Sequence, residues 1–457
     1  MGNRKLGSIV SLIRGNTYKS ALLNQDGPYL LGLASIGPHG GFRKDKLKTY
    51  GGPSAEKHIL YTGDMFISLK DITQQALLLG AIARVPDEIK KGRLTQDTVK
   101  LSFTDTTYPK EYFYWALRSP QYREYCKARA LGTTNLSLSR EDFLDFELPS
   151  YTSQRQQIVN ILELIEKKIN LNENINKYLV QLSKLIFKSW FVDFDPVIDN
   201  ALDAGNPIPE ALQSRAELRQ KVRNCADFKP LPAEIRSLFP SEFEETELGW
   251  VPKGWTLKSV AKSININPSL KLPKNKIAKY VDMKSLPTQG YSISDIIEKP
   301  YSGGAKFQNN DTLFARITPC LENGKTGFVD FLDEKETAFG STEFIVMRGT
   351  PQVHYLYVAC LARESNFRLH AIQNMIGSSG RQRVQNSCFD SFYIAIPTPA
   401  VMSLFSGKVS SYFDKMYFCN LENKSLTALR DALLPKLISG ELSLEDLPDL
   451  TTDTEAA

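Results

Sequence analysis

Two stretches of the chain carry a sustained alternation of apolar and polar positions at helical spacing. Ile158, Ile161, Ile165, Asn172, Ile175, Leu179, Leu182 and Ile186 recur every three or four residues, the seam of a helix that packs against another helix. Phe405, Val409, Tyr412, Met416, Asn423, Leu426, Leu433 and Leu437 repeat the pattern. The spacing predicts long helices over about 151–190 and 399–439, and two such seams in one chain can satisfy each other. Their midpoints fall near residues 170 and 419. Antiparallel pairing therefore sets Asn172 and Asn176 beside Asn420 and Asn423, a polar layer that fixes register at some cost in stability.

The segments before these helices resemble each other. Tyr112 to Arg129 is amphipathic and runs into the small-residue loop Gly132, Thr133, Thr134, Asn135, after which FLDFELP ends at Pro149. His354 to Met375 runs into Gly377, Ser378, Ser379, Gly380, after which FDSFYIAIP ends at Pro397, 248 positions on from Pro149. LGSIVSLI near Leu6 has a counterpart in LKSVAKSI near Leu257, and GDMFISLK at Asp64 has one in NDTLFARI at Asp311. The chain reads as a tandem of two mixed α/β (α+β) modules, each of short strands with one or two helices and each followed by a long helix. The expected segments are 1–150, a central 151–245 with long helix and connector, 246–397, a second long helix at 398–440, and an acidic tail at 441–457. The connector is proline-rich and acidic, with a helix expected from about Pro209 to Val222. The tail has six acidic residues and no basic one, which predicts a solvated, partly disordered end.

Composition narrows the class. With 457 residues, 42% hydrophobic and 23% charged, the chain is globular and long enough for about three domains. No run approaches the ~18 apolar residues of a membrane span, and the N-terminus lacks a signal-peptide pattern, so a cytoplasmic protein without membrane contact is expected. The six cysteines lie at least 28 positions apart, without metal or redox spacing. The net charge of +5 is unevenly placed: +6 over 1–150, −2 over 151–245, +5 over 246–397 and −4 over 398–457. Two basic modules on one chain suit a polyanion gripped twice.

Catalytic chemistry is not legible. Gly324-Lys325-Thr326 has the end of a P-loop, but Pro319 stands where its first glycine must be. Pro86 to Lys90 (PDEIK) has the letters of a nuclease carboxylate cluster without a spacer. Gly377 to Gly380 is not a nucleophile elbow, and His39, His58, His354 and His370 show no metal-ligand spacing. The nearest approach to an amino-methylation motif is Asn267-Pro268-Ser269, which lacks the second proline and the aromatic residue.

Groups suited to DNA do stand out. GSSGRQRV offers Ser378, Ser379, Arg381, Gln382 and Arg383: arginine can bind guanine bidentately, glutamine can read adenine, and serine can hold phosphate. The equivalent loop of the first module offers Thr133, Thr134, Asn135 and Arg140. Lys306 and Arg316 complete the candidate DNA-binding set. Such a loop alone is usually a plain turn; its recurrence at the same place in both halves points to function.

These residues resemble a known family. QRQQIVNILELIEKKINLNENINKYLVQLSKLIFKSWFVDFDPV at 154–197 is similar to the central region of specificity subunits of type I restriction-modification systems, and ENGKTGFVDF at 322–331, GSTEFIVMR at 340–348 and RDALLPKLISGEL at 430–442 are similar to recurring family segments. The resemblance covers essentially the whole chain. It implies two target-recognition domains related by a pseudo-two-fold repeat, each reading one half of an interrupted double-stranded DNA target, held apart by two antiparallel coiled-coil helices. It implies docking of two methyltransferase subunits that modify adenine and, for host defence, two ATP-driven restriction subunits. S-adenosylmethionine, ATP and magnesium are then expected on the partners, with no cofactor or metal on this chain. Individual base contacts do not carry over. The rival readings are a stand-alone DNA methyltransferase or nuclease, which needs S-adenosylmethionine or a metal on this chain, and a coiled-coil adaptor, which needs no DNA.

If the helices act as struts, their length sets the gap between half-sites. Inserting four residues near Lys177 adds about one turn, ~6 Å, or roughly two base pairs at ~3.4 Å rise. The expected outcome is unchanged half-sites with a gap one or two pairs wider, read by selecting sites from random DNA in complex with methyltransferase subunits. An unchanged gap or altered half-sites removes the strut model.

Overall fold

The computed structural model describes residues 2–72, 75–133, 135–378 and 380–440. The expected acidic tail lies outside the described residues. The described residues form two compact units, 2–170 with 423–440, and 171–422. Each unit holds one α/β module and part of both long helices, Ser153–Phe191 and Pro399–Ser439.

In the first unit an antiparallel sheet runs in the order Val10–Arg14, Thr98–Phe103, Met65–Ser68, Ile82–Arg84. A smaller sheet sets Gly92–Leu94 parallel to Tyr29–Leu31 and antiparallel to Ile59–Leu60. The run Met65–Ser68 is buried throughout because both of its faces are covered: Met65 and Ile67 enter one core and Phe66 another. Helices Lys110–Ala116 and Pro120–Ala128 complete the module. Ser119 caps the second, its Oγ accepting from the Tyr122 amide at 3.3 Å with proline as first helical residue.

The second unit repeats this plan with different residues. Its antiparallel sheet runs Asn265–Ile266, Phe344–Arg348, Thr312–Ala315, Thr326–Phe328. In both units the strands lie in the order first, fourth, second, third along the chain. Ala338–Gly340 is parallel to Ile277–Val281 and antiparallel to Ala305–Phe307, as in the first small sheet, with Ile297–Pro300 added as an extra hairpin strand. The central strands again divide two cores: Phe314 and Ile345 enter one, Leu313 and Val346 the other. The first and last strands of each module pair, Arg4–Lys5 with Glu147–Leu148 and Thr256–Ser259 with Tyr393–Ile396. Helices Tyr355–Leu361 and Ser365–Gln373 stand 245 positions after their counterparts.

The long helices pair antiparallel within each unit. In the first, Ile158, Val159, Leu162 and Ile165 share a core with Leu433, Leu434 and Leu437, with Leu426 half-buried beside them. The Arg155 guanidinium donates to the carbonyls of Leu437 and Ile438 at 2.9 and 2.8 Å, satisfying carbonyls that the helix end leaves without amides. In the second, Phe187, Trp190 and Phe191 meet Phe405, Val409 and Met416, with Leu179 half-buried at the edge. Asn172 Nδ2 donates to Glu422 Oε2 at 2.7 Å, and Asn176 Nδ2 to Asn420 Oδ1 at 2.8 Å. Asn423 is half-buried and belongs to the first unit.

The seam corrects one expected position. Leu182 is 43% exposed, while Ser183 next to it is fully buried. The Ser183 hydroxyl donates to the Leu179 carbonyl at 2.8 Å, so a polar residue fills the seam without an unmet hydrogen bond. A reading by hydrophobicity passes over it. The connector holds its expected helix, a 3-10 turn at Glu210–Leu212 running into Gln213–Arg223, and adds one that was not expected: Asp195–Ala204, which begins at a left-handed Phe194 with Pro196 in its first turn. Asp195, Asp199 and Asp203 bind Arg215, Arg219 and Arg223, rungs spaced by one helical turn.

The two modules hold their helices by different chemistry. In the first unit Arg84 binds Glu163 at 2.9 Å and Glu166 at 2.8 Å, Arg118 binds Glu166 at 2.8 Å, and the Trp115 indole donates to Glu163 at 2.8 Å. In the second, Phe413 packs on Tyr291 and Phe328 with ring centroids 4.7 and 5.1 Å away. Glu166→Ala strands the buried Arg118 without a carboxylate. We expect it to destabilise the first unit by about 3–5 kcal/mol in urea unfolding, against a change below ~0.5 kcal/mol for exposed Glu141→Ala.

Candidate nucleic-acid interface

The two small-residue loops are hairpins at matching places. In the first unit Leu131 and Ser137 exchange backbone hydrogen bonds at 2.8 and 2.9 Å, and Leu136–Ser137 pairs with Lys70–Asp71. Gly132 has φ +99°, and a Cβ there would lie 2.4 Å from the Asn135 carbonyl oxygen, so the bend admits only glycine. Thr133, Asn135 and, just beyond the hairpin, Arg140 are exposed. Thr134 lies outside the described residues.

In the second unit Met375–Ile376 pairs with Arg383–Val384, and the Arg381 amide donates to the Ser378 carbonyl at 3.0 Å to close the turn. Ser378 is exposed; Ser379 lies outside the described residues. Gln382 is half-buried and exchanges hydrogen bonds with Thr318, its amide donating to the hydroxyl and its carbonyl accepting from the amide, both at 3.1 Å. Three of the sequence candidates are tied to neighbouring groups. Arg383 grips Glu343 through Nε at 2.9 Å and Nη2 at 2.7 Å. Arg316 donates from Nε and Nη2 to the Val384 carbonyl at 3.1 and 2.7 Å. Lys306 donates to the Leu270 carbonyl. Arg381 is exposed, and no ion pair holds it among the described residues. The Glu343 tie holds the Arg383 guanidinium above the usual arginine range, which keeps it charged but occupied.

The fold also assembles cations that were not singled out from the sequence. The Leu30 amide donates to the Lys48 carbonyl at 2.8 Å and the Tyr29 amide to the Lys91 carbonyl at 3.2 Å, so two lysine-bearing segments flank one strand of the small sheet. Lys46, Lys48, Lys90 and Lys91 are exposed there beside exposed Tyr29. In the second unit Lys271, Lys274 and Lys276 are exposed beside the corresponding small sheet, where the Tyr301 amide donates to the Lys276 carbonyl at 2.8 Å. The clusters KDKLK and KLPKNK were visible as charge. Their placement against equivalent sheets was not, because the flanking segments lie about forty residues apart in the first case. Among the described residues no group of three or more His, Cys, Asp or Glu side chains is arranged to hold a metal ion.

No family model matches the chain. It is similar to the type I restriction enzyme HindI specificity subunit of Haemophilus influenzae, 25% identical over 358 residues that span 73% of this chain and 77% of the relative. It is also similar to the MjaIX specificity subunit of Methanocaldococcus jannaschii, 24% identical over 74% of this chain and 70% of that one. Among solved structures, the fold is shared with the S subunit of a type I restriction-modification system from M. genitalium, at TM-score 0.50 and 13% identity over 95% of both chains.

The two hairpin arginines should separate in a stability measurement. Arg383→Ala leaves Glu343 without its partner and should lower the unfolding temperature slightly, while Arg381→Ala should leave it unchanged. Thermal unfolding of the two variants reads the difference.

Proposed function

We infer that this chain, a relative of type I specificity subunits in sequence and in fold, is the DNA-recognition subunit of a type I restriction-modification complex. It supplies recognition rather than catalysis. The observation that carries the reading is the repetition of one strand order in both units, each with a hairpin and a lysine-bearing small sheet at equivalent places. Two copies of one plan with unlike surface residues suit a target of two unlike halves. Phosphates are alike everywhere and need only cations, whereas bases need side chains that differ. In this reading the lysines position the duplex and the hairpins read it, with Arg381 approaching a base edge and Thr133 and Asn135 serving the other half-site.

The long helices serve the partners. In the second unit Leu171, Tyr178, Leu182 and Leu185 on the first helix and Phe418 and Leu421 on the second are exposed apolar side chains. They lie outside the buried seam and suit docking of methyltransferase subunits, two per chain by the repeat. Two restriction subunits complete the assembly, and S-adenosylmethionine, ATP and magnesium are bound by the partners. Among the described residues no helix is long and apolar enough to cross a membrane. Action on host DNA puts the complex in the cytoplasm.

Two measurements test this. The purified chain should neither methylate nor cut DNA, and turnover free of partner contamination would restore the stand-alone enzyme. In the assembled methyltransferase, Arg381→Ala should weaken binding to the cognate site by about 1–3 kcal/mol more than binding to random duplex. Equal losses on both would make Arg381 a phosphate contact.

A further inference from the structure

A cleft of about 560 Å³ opens in the first unit, lined by residues other than those of the hairpin and the lysine patch. Its cations come from three elements: Arg118 ahead of helix Pro120–Ala128, Arg123 and Lys127 on that helix, and Arg430 on the second long helix. Glu124 and Asp431 also line it. Arg118 is answered by Glu166 and Arg430 by Asp431. Arg123 is different. Its guanidinium is buried and donates to the carbonyls of Ala76 and Leu77 at 2.7 and 2.9 Å and to that of Leu79, all neutral acceptors. Among the described residues no carboxylate pairs with Arg123 or with exposed Lys127. Lys127 is thus without a carboxylate partner, while Arg123 is offset only at longer range by Asp71, and its burial makes its field less screened by water. Gly37, Pro38, His39 and Gly40 also line the cleft, and a Cβ on Gly40 would come within 3.0 Å of Arg118 Cγ and of the Ile82 carbonyl oxygen.

The second unit keeps the arginine pair and a helix-borne cation at equivalent positions, with Ile372 where the first unit has Lys127. Arg363 and Arg368 follow Arg118 and Arg123 by 245 positions, and Lys184 precedes Arg430 by 246. Arg363 donates to the carbonyls of Pro287, Thr288, Gly324 and Thr326, and Arg368 to that of Leu321 and to Thr326 Oγ1. Neither binds a carboxylate among the described residues. Burial, with Arg363 and Arg368 nearby, holds Lys184 below the usual lysine range, and burial brings Arg363 down to about 10.

We infer that the first-unit cleft is a phosphate site in which Lys127 and Arg430, beside buried Arg123, hold a backbone phosphate of bound DNA, and that Lys184 with Arg363 and Arg368 is its counterpart in the second unit. The inference rests on the DNA-recognition reading and adds to it a sequence-independent anchor at each half-site. A phosphodiester fits better than an acidic peptide because the arginine pair and a helix-borne cation recur with the fold. A duplex presents the same backbone to both modules, and nothing about a single peptide would require the cations twice.

The test is the salt dependence of DNA binding by the full-length chain, measured by fluorescence anisotropy on a cognate and a scrambled duplex. The variants are Lys127→Gln with Arg430→Gln in one unit and Lys184→Gln in the other, with thermal unfolding recorded for each. Each lost phosphate contact should lower the slope of log affinity against log salt by ~0.9, with the same fold-loss on both duplexes and an unchanged Tm. An unchanged slope with binding intact overturns the phosphate site and leaves DNA recognition standing. Loss of methyltransferase assembly with an unchanged slope assigns the cleft to a protein partner and also overturns it. A wild-type chain without salt-dependent DNA binding defeats both the site and the reading beneath it.

Discussion

Neither module closes its own core. The first buries its helix-facing side against Leu433, Leu434 and Leu437, nearly three hundred residues further along the chain, and the second against Phe187, Trp190 and Phe191, which precede it. Each unit is therefore completed by both long helices, and the antiparallel pairing is the condition on which both α/β modules depend. Apolar area is the main term, since aromatic side chains of this size each remove on the order of 150–250 Å² from water. Direction is set by polar detail. The Arg155 tie to the last carbonyls of the second helix and the Asn176–Asn420 hydrogen bond are met in one register only.

The repeat preserves topology and changes chemistry. Strand order, the parallel pair of the small sheet, the closing strand pair and the hairpin position are the same in both units, yet beside the apolar contact with the long helices one unit adds ion pairs and the other aromatic rings. Both solutions fill the same space. The ionic one is confined to geometry where each carboxylate meets two cations or an indole, which offsets the cost of taking charges from water. The aromatic one has no such demand and tolerates change at its edges. A fold that accepts both can vary its outer residues widely, which is what two unlike half-sites require of their readers.

Among the candidate DNA-facing groups the structure separates two uses of arginine that are indistinguishable in a sequence. Arg381 sits in the hairpin turn, where its amide closes the bend on the Ser378 carbonyl, whereas Arg383 sits in the strand paired with Met375–Ile376. One meets Glu343 and becomes part of the scaffold; the other faces solvent. Arg316 and Lys306 are likewise spent on backbone carbonyls.

Much of the architecture was legible because it rests on local periodicity. The 3-and-4 spacing gave both long helices to within about two residues, the matched segments around Pro149 and Pro397 gave the tandem repeat, and counting from helix midpoints placed Asn176 against Asn420. Leu182 was misplaced because the seam is decided by which side the partner occupies, and Ser183 satisfies its hydroxyl within its own helix. The helix at Asp195–Ala204 was missed because proline in a first turn reads as a break when the turn before it is unknown. The lysine patches and the cation-lined cleft depend on segments far apart in the chain, so only tertiary structure could bring them together. The sequence determined the elements and their duplication, since those follow from neighbours a few residues away. The tertiary structure decided which charges remain free, because a charge is free or spent only according to what lies across the space from it.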